Sequence, residues 1–151
     1  EGLVQNSLLK PLKYRDIRKN NIYAYADYNY DKREITYGKG KSKHTATIEE
    51  PSQDIFTLAW QMAINQGNID GTIQTTNGKK IYKREPFQKQ GTLSLYVNKK
   101  KYTAQHFITG SGDDRVEVGL ISDLYFIPAL IAFYDKGKRY ELKLTEVHFT
   151  P

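Results

Sequence analysis

The sequence predicts a mainly β fold: a curved antiparallel sheet, a half-barrel or open barrel, wrapped around one central helix. Three observations predict it. Short runs of apolar and polar residues recur along the chain, separated by Gly, Asn, Asp and Lys, which is the pattern of antiparallel strands joined by turns. Twelve Tyr stand against one Trp and six Phe, a bias toward side chains that suit half-buried pleated surfaces. One stretch alone, Pro51 to Gly67 (PSQDIFTLAWQMAINQG), reads as a strong helix. A single apolar helix needs a sheet to bury it, and the sheet gains cover for one face.

The helix is expected over about residues 52–66. Pro51 suits the residue before a helix or its first turn, where a missing N–H costs little. Ser52 and Asp54 are both N-cap candidates, and Asp54 also suits the positive end of the helix dipole. Gly67 and Asn68 tolerate the left-handed conformation that ends a helix. Ile55, Phe56, Leu58, Ala59, Trp60, Met62, Ala63 and Ile64 leave few polar positions, so the helix is expected to be buried on several faces or to contact a ligand. It is too short to span a membrane.

The strands follow in order. Glu1 to Lys10 reads as a frayed segment or an edge strand limited by Pro11. Leu12 to Arg18 is followed by a turn at Lys19-Asn20-Asn21. In IYAYADYNY the aromatic positions change phase near Asp27, which predicts a bulge or strong twist. Arg33 to Tyr37 returns as a hairpin, and His44 to Glu49 leads into the helix. Beyond the helix, Asp70 to Thr76 and Lys79 to Phe87 flank Asn77-Gly78, the strongest hairpin signal in the chain. Leu93, Leu95 and Val97 share one face, as do Tyr102, Ala104, His106 and Ile108 on the strand after Asn98-Lys99. Val116, Val118 and Leu120 alternate in the next strand. Ala129 to Tyr134 and a long last strand, Arg139 to Phe149 with a bulge near Thr145, close the meander.

The length, 151 residues, suits a single β-rich domain over 1–151. Net charge is +6. The first 75 residues carry 10 Lys/Arg against 9 Asp/Glu, the remaining 76 carry 13 against 8, and the excess is spread over turns. Dispersed charge of this size speaks for solubility rather than nucleic-acid binding. The basic groups Lys79-Lys80, Lys83-Arg84 and Lys99-Lys100-Lys101 read as solvated hairpin tips. Gathered into a rim, they would make peripheral contact with an anionic membrane surface. There is no cysteine, which removes disulfides, thiolate metal sites and thiol nucleophiles.

No motif points to catalysis, and no cofactor is expected. His44, His106 and His148 are the only histidines, and none stands at metal-ligand spacing from another. No G-x-S-x-G elbow accompanies the serines. Gly110-Ser111-Gly112-Asp113-Asp114 lacks the alternating ligands and closing Glu of a calcium loop and the Lys-Ser/Thr of a phosphate loop, so it reads as a turn. What remains is apolar density. Phe56, Trp60 and Met62 on the helix, with Tyr125 and Phe126 further on, are the candidate ligand-binding residues, because a cleft lined this way takes acyl chains or apolar peptides. With the helix fully packed, the same residues are core.

Three features of the chain resemble one family. They are Asp54 at the helix start, the knuckle formed by Asp123-Leu124 with Phe126, Ile127 and Pro128, and the closing hairpin from Asp135 to Leu144 (DKGKRYELKL). Together they resemble the exported bacterial proteins of domain-of-unknown-function family 3108, over roughly Leu8 to Val147. Gly119 stands where family members often place Trp. The resemblance implies a protein of the periplasm or outer envelope of a Gram-negative bacterium, with a half-barrel like those that carry lipoproteins between membranes. The expected function is therefore non-catalytic: binding of an apolar ligand such as a lipid or acyl chain. The alternative is a structural or interaction protein of the envelope with a filled core. It would act on an envelope protein or a second copy through an exposed sheet edge or a tyrosine-rich surface.

Overall fold

The computed structural model describes residues 1–151. The chain is mainly β, 56% strand and 11% helical, with one helix and several antiparallel sheets, none of which closes into a barrel. The strands form four sheets and two compact units. The first unit comprises residues 1–61 and 71–84, the second residues 62–70 and 85–151.

The first unit opens with a hairpin of β1 (Gly2–Gln5) and β2 (Leu8–Pro11), turned at Asn6 and Ser7, both at positive φ. Of the two expectations for the amino-terminal segment, a frayed end or an edge strand, the structure has strand: the segment is a defined two-stranded ribbon. Next comes a four-stranded meander of β3 (Lys13–Arg18), β4 (Asn21–Asn29), β5 (Glu34–Lys39) and β6 (His44–Thr47). The bulge expected near Asp27 is absent. Ala24, Ala26 and Tyr28 are buried in unbroken alternation, and β4 pairs with β5 without a slip. The irregularity lies between Asp16 and Ile17 on β3. The inner face is marked by the small Ala24 and Ala26 together with Tyr28. Tyr23 and Tyr25 lie on the outer one, under the guanidinium groups of Arg18 and Arg15 at 3.7 and 5.6 Å from their ring centroids.

The helix starts later than expected. Ser52–Asp54 is a short strand, β7, pairing in parallel with β8 (Ile73–Thr76), which pairs antiparallel with β9 (Ile81–Arg84). Helix α1 spans Ile55–Ile64. Of the two N-cap candidates Asp54 is the cap. Its Oδ1 accepts from the N–H of Phe56 and of Thr57, both at 2.9 Å, and Thr57 Oγ1 accepts from the N–H of Asp54 at 3.0 Å. This is a reciprocal arrangement of the capping-box kind. The β8–β9 connection is longer than the two-residue turn that Asn77-Gly78 predicts, because Thr76 pairs with Ile81. Asn77 Oδ1 organises the loop by accepting from Lys79 and Lys80 N–H.

The second unit begins in the last turn of α1, at Met62. Gly67, at φ +82, closes the helix by donating to Met62 O at 2.8 Å, and an added Cβ there would meet the Phe107 ring at 2.8 Å. The body of this unit is a five-stranded antiparallel meander: β10 (Gln88–Val97), β11 (Lys100–Thr109), β12 (Val116–Ile121), β13 (Ile127–Asp135) and β14 (Lys138–Lys143). Its core gathers Leu95, Val97, Ala104, Ile121, Ile127 and Leu130, with Leu144 and Val147 packed on it. The last strand is shorter than expected. After Lys143 the chain leaves the ladder, Leu144 N–H donating to Ala129 O and Asn98 N–H to Thr145 O. Phe149 is exposed.

Candidate ligand-binding cavity

The sequence ahead of α1, Ser52-Gln53-Asp54, is polar, yet all three residues are buried, at 5%, 3% and 3% exposure. Such burial requires hydrogen-bond partners, and these three residues find them unequally. Asp54 caps the helix. Gln53 Nε2 donates to Leu9 O at 2.7 Å, and Gln61 from the helix completes the clamp on the same strand: its Oε1 accepts from Leu9 N–H at 2.7 Å and its Nε2 donates to Ser7 O at 3.0 Å. Two glutamine side chains thus tie the β1–β2 hairpin to β7 and α1. Gln53 Oε1, Ser52 Oγ and Tyr28 Oη, by contrast, make no hydrogen bond. Ser52 Oγ is the neighbour of the Tyr28 hydroxyl and works to lower that phenol against its burial.

A cavity of about 350 Å³ lies beside these groups. Its apolar lining comes from Leu8, Leu9, Tyr30 and Pro51, and Ser52 and Gln53 complete its polar part. Lys10 and Glu50, also in the lining, pair with each other at 3.6 Å, and the Lys10 ammonium sits 5.2 Å from the Tyr30 ring centroid. The Tyr30 hydroxyl donates to Pro11 O at 2.9 Å. Burial, with the nearby charges of Glu50 and Asp54, pushes the Tyr30 phenol up, and burial with Asp54 does the same for Tyr28. Burial also raises the Asp54 carboxyl, against the opposing hydrogen bonds from Thr57 and Phe56. An apolar lining with a few convergent polar atoms is the usual make-up of a small-molecule site, and the volume lies at the lower end of the range of about 300–1,000 Å³.

The residues that the sequence singles out are placed otherwise. Phe56 stacks on Tyr14 at 5.9 Å and lines a second cavity of about 370 Å³ with Asp54 and Arg15. Trp60 is 48% exposed, so α1 is not buried all round, while Met62 is fully buried. Tyr125 and Phe126 occupy consecutive left-handed positions (φ 57 and 58) at the knuckle, and exposed Tyr125 meets Phe149 edge-on at 5.3 Å. None of Trp60, Met62, Tyr125 and Phe126 lines the leucine-walled cavity. Of the residues that do, Leu8 to Lys10 read from the sequence as a frayed segment or edge strand, Tyr30 as part of an aromatic strand, and Pro51 and Ser52 as the start of the helix. The one sequence signal for them is the polar triplet at the head of an apolar helix, and it does not reveal that the triplet is buried.

A second cluster of charge lies in the second unit. Glu117, on β12 and 5% exposed at its side chain, meets Arg115 at 2.5 Å, Arg139 at 3.0 Å and His106 Nε2 at 3.5 Å. Burial works to raise the Glu117 carboxyl, but hydrogen bonds from Arg139 and Arg115 outweigh it and hold the group below the usual carboxylate range. The His106 and Arg139 contacts reach from β12 to β11 and β14 and tie the sheet together, while Arg115 stands two residues ahead of Glu117 on the same stretch of chain. A third cavity, about 420 Å³, borders this unit's Arg115, Thr109 and Gln88. No group of three His, Asp or Glu side chains gathers at metal-binding distance, and no helix is long and apolar enough to cross a membrane.

Fold and cavity together define a mainly β protein whose single helix is capped beside a small, mostly apolar cavity. Compared with protein-family models, curated proteins and solved structures, the chain matches none.

Proposed function

We propose that this chain is a non-catalytic binding protein for an apolar ligand such as a lipid or acyl chain, held in the cavity lined by Leu8, Leu9, Tyr30 and Pro51. The observation that carries the reading is that apolar lining, with Ser52 and Gln53 as its neutral polar part. A volume of about 350 Å³ suits one acyl chain rather than several. In the resemblance to family 3108 the same reading has a setting, the periplasm or outer envelope, which cell fractionation tests. Native mass spectrometry of the purified protein, before and after organic extraction, tests the binding itself. An adduct of acyl-chain mass that disappears on extraction is expected. A clean apo mass, with no adduct after incubation with dodecyl lipids, overturns it.

A second reading, an interaction protein, is favoured by exposed aromatic and aliphatic side chains: Tyr96 at 65%, Tyr125 at 81% and Val4 at 72% exposure. A concentration-dependent dimer in the same spectra, in the absence of any ligand mass, supports it.

A further inference from the structure

We infer that one end of the four-stranded sheet docks on an anionic lipid surface, with Ile17 and Ile22 entering the interface and the basic side chains of three turns meeting the headgroups. The surface is separate from the leucine-walled cavity: Ile22 stands near the first residue of β4, and Tyr30, which lines the cavity, lies just past its last. Docking does not depend on what the cavity binds.

Along the chain the basic residues are spread over turns, but the fold gathers three of those turns. β3 runs into β4 through Lys19-Asn20, both at positive φ. β5 returns antiparallel with Lys39 opposite Ala24, which brings the loop 40–43 to the same end. There Gly40 N–H donates to Tyr23 O at 3.0 Å and the Tyr25 hydroxyl donates to Ser42 O at 3.1 Å. The β8–β9 loop joins them, since an added Cβ on Gly78 would meet Tyr25 N at 2.7 Å. The first turn carries Arg18 and Lys19, the second Lys39, Lys41 and Lys43. The third carries Lys79 and Lys80, and residues 17–24, 36–47 and 75–82 hold no Asp or Glu. Three of these cations converge on one ring: the Arg18 guanidinium lies 3.7 Å, the Lys39 ammonium 4.9 Å and the Lys79 ammonium 5.9 Å from the Tyr23 centroid. Asp16 pairs with Arg18 at 2.9 Å. Like charges gathered this closely repel, and an anionic surface laid over them relieves the repulsion and gains from each of them.

The apolar part decides which anionic partner fits. Ile17 and Ile22 are cross-strand partners beside the turn, and both are exposed, at 63% and 51%. An aliphatic pair held in water at a hairpin tip, beside cations and tyrosines, matches a bilayer interface: aliphatic side chains below the headgroups, Tyr at their level, Lys and Arg on the phosphates. A nucleic-acid phosphate backbone has the charge but offers nothing to cover the two isoleucines.

The test titrates the full chain in a flotation assay with vesicles of phosphatidylcholine, alone or with about 30% phosphatidylglycerol, at about 50 and 500 mM salt. Binding ~10-fold or more tighter to the anionic vesicles, and lost at high salt, is expected. Ile17→Ser with Ile22→Ser should weaken it ~10-fold, and Lys41→Gln with Lys43→Gln by a similar factor. All four side chains are exposed, so both variants are expected to keep the parent's circular dichroism and melting temperature. An oligonucleotide of about 20 thymidines is titrated in parallel. Equal binding to both kinds of vesicle, or binding to neither, overturns the inference. So does anionic-vesicle binding that the isoleucine variant leaves unchanged, and so does tighter binding of the oligonucleotide, which would assign the same cations to nucleic acid.

Discussion

Single side chains in this protein act through where they are buried rather than through what they are. Met62 and Trp60 stand two residues apart on one helix, yet Met62 is fully buried and Trp60 is 48% exposed. Truncating Met62 to Ala should therefore cost about 2–5 kcal/mol, the usual range for a cavity left in a packed core. Trp60→Ala should cost less despite the larger side chain, about 1–2 kcal/mol, because half its surface already faces water. Urea denaturation of the two variants checks the order, and a larger loss for Trp60→Ala would show that the ring is a core element. The same contrast holds among the tyrosines. Tyr14 and Tyr28 are buried with their phenols pushed up, chiefly by burial, whereas Tyr23 and Tyr25 carry guanidinium groups on their outer rings.

At the scale of elements, turns fix what the strands can do. The loop from Thr76 to Ile81 depends on Gly78, at φ +80, where an added Cβ would lie 2.7 Å from Tyr25 N and 3.0 Å from Ala24 Cβ. The loop is therefore pressed onto β4. Gly78→Ala combines a left-handed strain with a backbone clash and should destabilise by about 1–3 kcal/mol, read as a lowered urea midpoint with unchanged slope. The β1–β2 hairpin is held differently, by Gln53 and Gln61 side chains on the backbone of β2. The sequence reads α1 correctly as the one helix, and Asp54 as one of two cap candidates, because capping and apolar spacing are local. It places the helix start three residues early, because Ser52–Asp54 becomes a strand only through β8, which lies 19 residues further along the chain from Asp54. Thr145 to Phe149 alternates like a strand but joins no ladder: Asn98 holds it instead, its backbone N–H donating to Thr145 O, its Nδ2 donating to Val147 O and its Oδ1 accepting from Val147 N–H, both at 2.8 Å. Alternation alone does not provide a ladder partner.

At the scale of the whole molecule, two buried carboxylates give stability opposite dependences on pH. Glu117 titrates below its ordinary value of 4.5 when folded, so its contribution is present above pH 4.5 and is lost as pH falls through the depressed folded value. Asp54 titrates above its ordinary 3.8, so its protonated form favours the fold below pH 3.8 and that benefit is lost as pH rises through the raised folded value. Asn keeps the capping oxygen, so Asp54→Asn should match the parent in strong acid and exceed it in stability at pH 7. Glu117→Gln should do the reverse: equal to the parent near pH 2, and about 2 kcal/mol weaker at pH 7. That magnitude reflects hydrogen bonds to charged groups, discounted for the exposed ends of Arg115 and Arg139. Denaturant titrations from pH 2 to 7 check both, and parallel curves for parent and variant would refute the assignment.

What the sequence by itself determined is whatever depends on near neighbours: the β class, the single helix with its Asp54 cap and Gly67 stop, and most of the turns. Periodicity and turn chemistry are properties of a few consecutive residues, and they are overridden only where a distant partner intervenes, as β8 does at Ser52–Asp54, or is missing, as beyond Thr145. The tertiary structure alone decided which polar residues are buried and which aromatic ones are not. The sequence directs attention to Phe56, Trp60, Met62, Tyr125 and Phe126 because they are large and apolar. The cavity instead gathers Leu8 and Leu9 with Tyr30, Pro51, Ser52 and Gln53, residues brought together across some 40 positions by strand pairing and by a glutamine clamp. Hydrophobicity is written in each residue, but burial is a property of the partners that the fold supplies, and an unpaired oxygen on Gln53 exists only once Leu9 has claimed the other end of the amide.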